Sequence, residues 1–210
     1  MCFSATASFA AGGVLTAAGA LNLSEVKTKN ELPFGSIPIF FGIQQTIEGV
    51  VWLSFSYPVL NTIATYIYSI FANVLWPIFI PLSVFLVETD KNRKNILRMF
   101  FFVGISVGLY LLYFIFRNSV TSNIVGNSIY YKTPELYTST IIAIYLIATC
   151  GSCLFSSHKI INMFGVIILF SFGIAAWFFI ETFLSVWCFF SAILSILVYW
   201  HFKNEKHRIY

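Results

Sequence analysis

The sequence reads as an all-α, polytopic membrane protein: one domain over residues 1–210, a bundle of seven transmembrane helices, N-terminus outside and C-terminus cytoplasmic. Three observations carry that reading. Hydrophobic residues make up 59% of the chain and charged residues 10%, against roughly 25% charged in a soluble domain. The mean hydropathy is +0.85. The apolar residues fall in stretches long enough to cross a bilayer, which takes about 20 residues each. A soluble enzyme, a disordered chain, a disulfide-stapled secreted domain and a nucleic-acid binder are excluded on the same grounds.

The spans are 3–23, 34–57, 62–87, 96–116, 136–154, 160–177 and 182–202. Polar or Pro-bearing breaks separate the first five. From 160 to 202 the chain is apolar for about twice the length of a span. The break is placed near 176–182, where Glu181 sits. Basic residues test the count, because cytoplasmic loops carry the Lys/Arg excess. Seven spans put Lys27, Lys29, Lys91, Arg93, Lys94, Arg98, Lys159, Lys203, Lys206 and Arg208 inside. Only Arg117 and Lys132 fall outside. The net charge of +4 therefore reads as topology, with mild attraction of the inner face to anionic lipid. The start lacks the basic n-region of a signal peptide and is taken as the first span. The longest loop, from Arg117 to Pro134, is outside and polar, an ordinary connection or a short lid.

Small residues let membrane helices approach closely. Ser4, Ser8, Gly12, Thr16 and Ala20, spaced by four, predict a ridge on the first span. Gly35, Gly42 and Gly49, spaced by seven, predict one on the second. Pro38, Pro77 and Pro81 each remove a backbone donor and predict bends or local openings.

Polar groups at membrane depth need a reason. Gln44, Gln45, Glu48 and Trp52 fall within about 100° of the second helix's circumference, beside its glycines. Glu48 is the acid placed well inside a span, and every Lys and Arg lies in a loop or at a span end. A charge at that depth costs roughly 2.5–3.5 kcal/mol or more. Glu48 is then interhelical glue held by hydrogen bonds, or it reaches Arg117 or the α-amine, or it holds a cation or a proton. The N-terminal Cys2, Ser4, Thr6 and Ser8 lie at the same outer depth, with Asn73, Trp76, Trp177, Glu181, Trp187 and Cys188. Together these residues predict an outer-half ligand pocket of Glu48, Gln44, Gln45, Trp52, Cys2, Ser4, Asn73 and Trp187. Cys2, Glu48 and Cys188 are its candidate metal ligands, although buried cysteines often serve as small apolar residues. A disulfide between Cys2 and Cys188 is the alternative.

Cys150-Gly151-Ser152-Cys153 is a C-x-x-C near the inner end of the fifth span, with His158 just beyond and His201 at a similar level. Without a second such motif, two cysteines three apart in a helix read as packing. The seventh span has no Lys for a retinal Schiff base, and no span holds paired histidines for haem or a zinc hydrolase centre. P-loop, G-x-S-x-G and H-E-x-x-H motifs are absent, and no half-to-half repeat supports an inverted-repeat transporter.

The opening Met1-Cys2-Phe3-Ser4-Ala5-Thr6-Ala7-Ser8-Phe9, Glu31-Leu32-Pro33-Phe34 and the segment from Gly42 to Trp52 resemble an uncharacterised family of prokaryotic integral membrane proteins. The resemblance is specific over about the first 55 residues. It implies a multi-pass protein of the cell membrane and supplies no catalytic or binding residues. The expected function is binding of an ion, a proton or a small ligand around Glu48 in the lipid bilayer, with no nucleic-acid partner. A membrane-embedded enzyme using Cys2 or Glu48, or a small transporter or channel, are the alternatives.

Overall fold

The computed structural model describes residues 4–132, 138–178 and 182–200, leaving aside the Leu184 side chain. The fold is mostly helical, and among the described residues four helices are long and apolar enough to cross a membrane. They are α1 (Ala5–Glu25), α3 (Pro58–Val87), α4 (Lys91–Arg117) and α6 (Lys159–Phe178). Shorter apolar helices are α2 (Ile37–Leu53), α5 (Ser139–Leu154) and α7 (Phe183–Leu194), the last followed by a turn and further helix to Trp200. A one-turn helix, Leu32–Gly35, leads into α2. The expected turn of the last helical pair includes residues 179–181, which lie outside the described residues, as do Cys2 and the tail from His201.

Helix α1 starts at Ser4, whose Oγ accepts from Ala7 N–H at 3.2 Å and so caps an otherwise open donor. It lies along α2, and glycine decides how close. A Cβ on Gly12 would fall 3.0 Å from Gly42 O and 2.5 Å from Thr46 Oγ1. A Cβ on Gly42 would fall 2.9 Å from Gly12 O and 2.5 Å from Thr16 Oγ1. Each helix presents a Gly–Thr pair four apart, the Thr hydroxyl donating to its own Gly carbonyl at 2.8 and 2.9 Å. The α1 ridge is corrected in one respect. Its buried residues are Ser8, Gly12, Leu15, Gly19 and Asn22, while Ser4, Thr16 and Ala20 are exposed. A helix of 3.6 residues per turn drifts off a strict spacing of four, so Gly19 replaces Ala20.

Among the described residues two π turns interrupt the helices, Phe71–Leu75 in α3 and Ile147–Gly151 in α5. Such single wide turns recur at functional sites. In α3 the π turn runs into Pro77 and Pro81. Helix α4 meets it there: a Cβ on Gly104 would fall 1.9 Å from Pro77 O. Pro38 sits in the first turn of α2, where no helical donor is lost.

The described part of the loop after α4 is not irregular. Thr121–Val125 and Ser128–Lys132 form an antiparallel hairpin, β1 and β2, with Thr121 opposite Lys132 and Val125 opposite Ser128. Gly126 turns it at φ +57°, and Gly126-Asn127 is a two-residue hairpin signature. Ile129 and Tyr131 are buried against the helix ends. A line of hydrogen bonds pins the hairpin down. Thr65 Oγ1 donates to Ser122 Oγ (2.8 Å), Ser122 Oγ to Asn61 Oδ1 (3.1 Å), and Asn61 Nδ2 to Ser54 Oγ (3.1 Å).

A polar clamp closes a loop between helices elsewhere. Glu88, between α3 and α4, is buried. One of its oxygens accepts from Thr89 and Asp90 N–H at 3.0 Å each and from Ser157 Oγ at 2.7 Å. The other accepts from Ser157 N–H at 2.7 Å and Ser156 Oγ at 3.3 Å. Burial pushes its carboxyl up. The hydrogen bonds from the Ser157 side chain and from the Ser157, Asp90 and Thr89 amides outweigh it and hold the group below the usual carboxylate range. Arg93 and Asn162 bind the same turn through the carbonyls of Ser156 and its neighbours.

Candidate functional site

Periodicity puts Gln44, Gln45 and Glu48 on one side of α2, and the structure buries all three completely. Glu48 faces α7, where Ser185 Oγ donates to Glu48 Oε1 at 2.5 Å. Gln44 faces α3, and its Oε1 accepts from Trp76 Nε1–H at 2.6 Å. The Trp76 ring also stacks on Phe41, 3.8 Å between centroids, which fixes the indole for that bond. Helix α2 thus sends one carboxyl and one amide to two different neighbours from positions four apart.

The Cys188 thiol, one turn beyond Ser185, lies against the Gln44 amide and the Tyr68 hydroxyl, with Glu48 close enough to interact electrostatically. Tyr68 is fully buried, and its ring stacks on Tyr131 of β2, centroids 4.3 Å apart and planes 7° apart. The hairpin therefore roofs the group that gathers around Glu48. Val51, Ala64, Ala72 and Ile129 fill in the apolar part of the same roof.

Of the expected site residues, Gln44, Glu48 and Cys188 are brought to the α2–α3–α7 junction, and Gln45 is buried on the same side of α2. Trp52 is half-buried at its edge, its Nε1 shielded from solvent. Asn73 lies inside the π turn of α3, Nδ2 donating to Ser69 O at 2.9 Å. Asn73 and Trp187 line a separate apolar cavity of about 20 Å³, as does Tyr145. Ser4 is an exposed helix cap. Cys2 lies outside the described residues, so the Cys2–Glu48–Cys188 metal set and the Cys2–Cys188 disulfide rest on the sequence alone. Among the described residues no group of three or more His, Cys, Asp or Glu gathers.

Sequence reasoning missed Ser185, Tyr68 and Tyr131. Ser185 stands one turn before Cys188, inside an apolar run where a hydroxyl needs a partner. Tyr131 was legible through the Gly126-Asn127 turn and the alternation of Ile129 and Tyr131.

Chemically the junction offers one carboxyl, the Gln44 amide, a thiol and hydroxyls under an aromatic lid. None of α1, α2, α3 or α7 contains a Lys or Arg. Lys132, at the end of β2, is exposed. Residues 1–209 match the model of a family described as a family of unknown function (DUF6629). None of the curated proteins and none of the solved structures matches the chain.

Proposed function

We propose, for a chain that belongs to the family of unknown function DUF6629, a multi-pass membrane protein that binds a proton or a small cation at Glu48. The observation that carries this reading is a fully buried carboxyl, 2.5 Å from the Ser185 hydroxyl, among helices that bring an amide, hydroxyls and a thiol to the same junction. Holding a charge at that depth costs roughly 2.5–3.5 kcal/mol or more. Uptake of a proton or a cation removes that cost, so the site responds to both. Among the described residues, the Cys188 thiol of α7 is a titratable neighbour, with the Tyr68 hydroxyl of α3 beside that thiol.

The membrane arrangement that goes with it is seven spans in the cell membrane, N-terminus outside. Four long apolar helices and the shorter apolar helices α2, α5 and α7 support it, together with the division of Lys and Arg between the loops. Reporters fused after Arg208 and within 88–98 read cytoplasmic, and one within 121–127 reads external. An external C-terminus overturns the topology.

The function is tested by melting the purified protein across pH and with added alkali and divalent cations, wild type beside Glu48→Gln. The variant keeps shape and hydrogen bonding but loses the titratable group. It is expected to fold and to lose a pH- or cation-dependent stabilisation that wild type has. Superimposable curves overturn the reading.

A further inference from the structure

Helix α4 carries basic residues at both ends, and the two ends use them differently. At the first end Lys91, Arg93, Lys94 and Arg98 stand within about two turns. Two of them are committed to the fold. Arg93 Nη1 donates to Phe155 O at 3.2 Å and to Ser156 O at 2.9 Å. Lys94 Nζ donates to Glu88 O at 3.2 Å and lies 5.2 Å from the centre of the Phe85 ring. Lys91 and Arg98 are exposed, and among the described residues neither side chain has a hydrogen-bond or ion-pair partner. The nearby acids are engaged elsewhere. Glu88 is held by Ser157, and Asp90 Oδ1 accepts from Arg93 N–H at 2.8 Å. At the far end Arg117 folds back on Tyr113, its Nη1 donating to the hydroxyl at 2.8 Å and its guanidinium 5.8 Å from the ring centre.

Periodicity puts the two uncommitted cations on one stripe. Lys91, Asn95, Arg98 and Phe102 fall within about 60° of the circumference, opposite the buried Leu97, Gly104 and Leu111. The exposed side continues through Met99, Leu109, Tyr113 and Phe116. From Arg98 to Arg117 the helix runs about 28 Å, close to the roughly 30 Å of a bilayer's hydrocarbon core. Arg98 is thus one hydrocarbon thickness from Arg117, at the depth of a phosphate row. We propose that Lys91, Asn95 and Arg98 bind the headgroup of one anionic phospholipid in the cytoplasmic leaflet, with its acyl chains along Met99 and Phe102. The guanidinium fork of Arg98 offers paired N–H donors to the phosphate, and Asn95 adds an amide donor beside it. Lys91, nearer to water, supplies a second positive charge, which favours an anionic headgroup over a zwitterionic one. Each such charge near the surface is worth about fivefold in affinity. The contacts of Arg93 and Lys94 fix the first turns of α4, so these donors are presented without ordering a loop. The site rests on the multi-pass reading above and goes beyond it, since Glu48 plays no part.

The test uses the full chain in a neutral detergent, titrated with phosphatidylglycerol or phosphatidylcholine, with bound lipid counted by native mass spectrometry. Wild type is expected to bind phosphatidylglycerol in preference to phosphatidylcholine. K91Q/R98Q is expected to lose at least about tenfold in affinity for phosphatidylglycerol and to bind phosphatidylcholine as wild type does. K27Q/K29Q removes the same charge from another exposed loop and is expected to match wild type with both lipids. No preference in wild type overturns the proposal, as does no loss in K91Q/R98Q. Equal losses in the two double variants reduce the effect to net charge and overturn it too. If K91Q/R98Q fails to fold, the single variant Arg98→Gln takes its place, and a wild-type affinity there overturns the site. Inorganic phosphate at the concentration of the lipid is expected to leave the lipid bound. Displacement would assign the site to a free anion and overturn the lipid assignment. Reporters within 88–98 read the topology separately, so a failure of the multi-pass reading is distinct from a failure of this site.

Discussion

Adding one methyl group at four glycines gives a graded measure of how tightly these helices pack. Gly13 faces open space, with nothing within 4 Å of a built Cβ. Gly13→Ala therefore gains only helix propensity, up to about 1 kcal/mol. Gly12→Ala and Gly42→Ala place a methyl 3.0 and 2.9 Å from the facing backbone carbonyl, which no side-chain rotation relieves. Overpacking of this kind costs about 1–3 kcal/mol. Gly104→Ala is worse, 1.9 Å from Pro77 O, so α3 and α4 must separate. The expected order of stability is Gly13→Ala above wild type, then Gly12→Ala and Gly42→Ala, then Gly104→Ala. The extremes should differ by at least about 2 kcal/mol, on the order of thirtyfold in the unfolding constant. Reversible unfolding in mixed micelles, followed by circular dichroism against the mole fraction of sodium dodecyl sulfate, measures it. Equal destabilisation by Gly13→Ala and Gly104→Ala, or none by Gly104→Ala, refutes the packing.

Tyr131→Ala removes the ring that stacks on Tyr68 and opens the roof over Cys188, so Cys188 is expected to react faster with a small thiol reagent, while Tyr131→Phe keeps the wild-type rate. Glu88 has its carboxyl held below the usual value of 4.5, so its stabilisation is full above that pH and disappears as pH falls through the folded value. Glu88→Gln should cost about 1–3 kcal/mol at neutral pH and flatten that acid limb in a pH series of melts. Trp76→Phe leaves Gln44 Oε1 buried without its donor and should lower stability by about 1–3 kcal/mol, read from the same melts.

Hydropathy and the placement of basic residues made the helices legible, because bilayer thickness and backbone hydrogen bonding allow few other solutions. The α1–α2 contact was legible through Gly12 and Gly42. Its register was not, since four-residue spacing ignores the true helical period. The π turns left no mark, for they arise from how neighbours pack. The hairpin did leave one at Gly126-Asn127, hidden by the polar residues around it. At the site, the face shared by Gln44 and Glu48 followed from α2 alone. Their partners Trp76 and Ser185 lie 32 and 137 residues away, and pairing at that distance is decided by tertiary packing. The same holds for a cavity beside Cys150 and Cys153, a property of five helices that no single segment encodes.

The protonation state of Glu48 tests the account most directly. Infrared difference spectroscopy on the detergent-solubilised protein resolves the carbonyl stretch of a protonated carboxylic acid from the bands of a carboxylate. The expected result is a carboxyl band that is absent from Glu48→Gln and that changes when pH is raised or a cation is added, within the range where both proteins stay folded. A Glu48 band that is indifferent to pH and to every cation tried would make the residue a fixed interhelical contact and contradict the account.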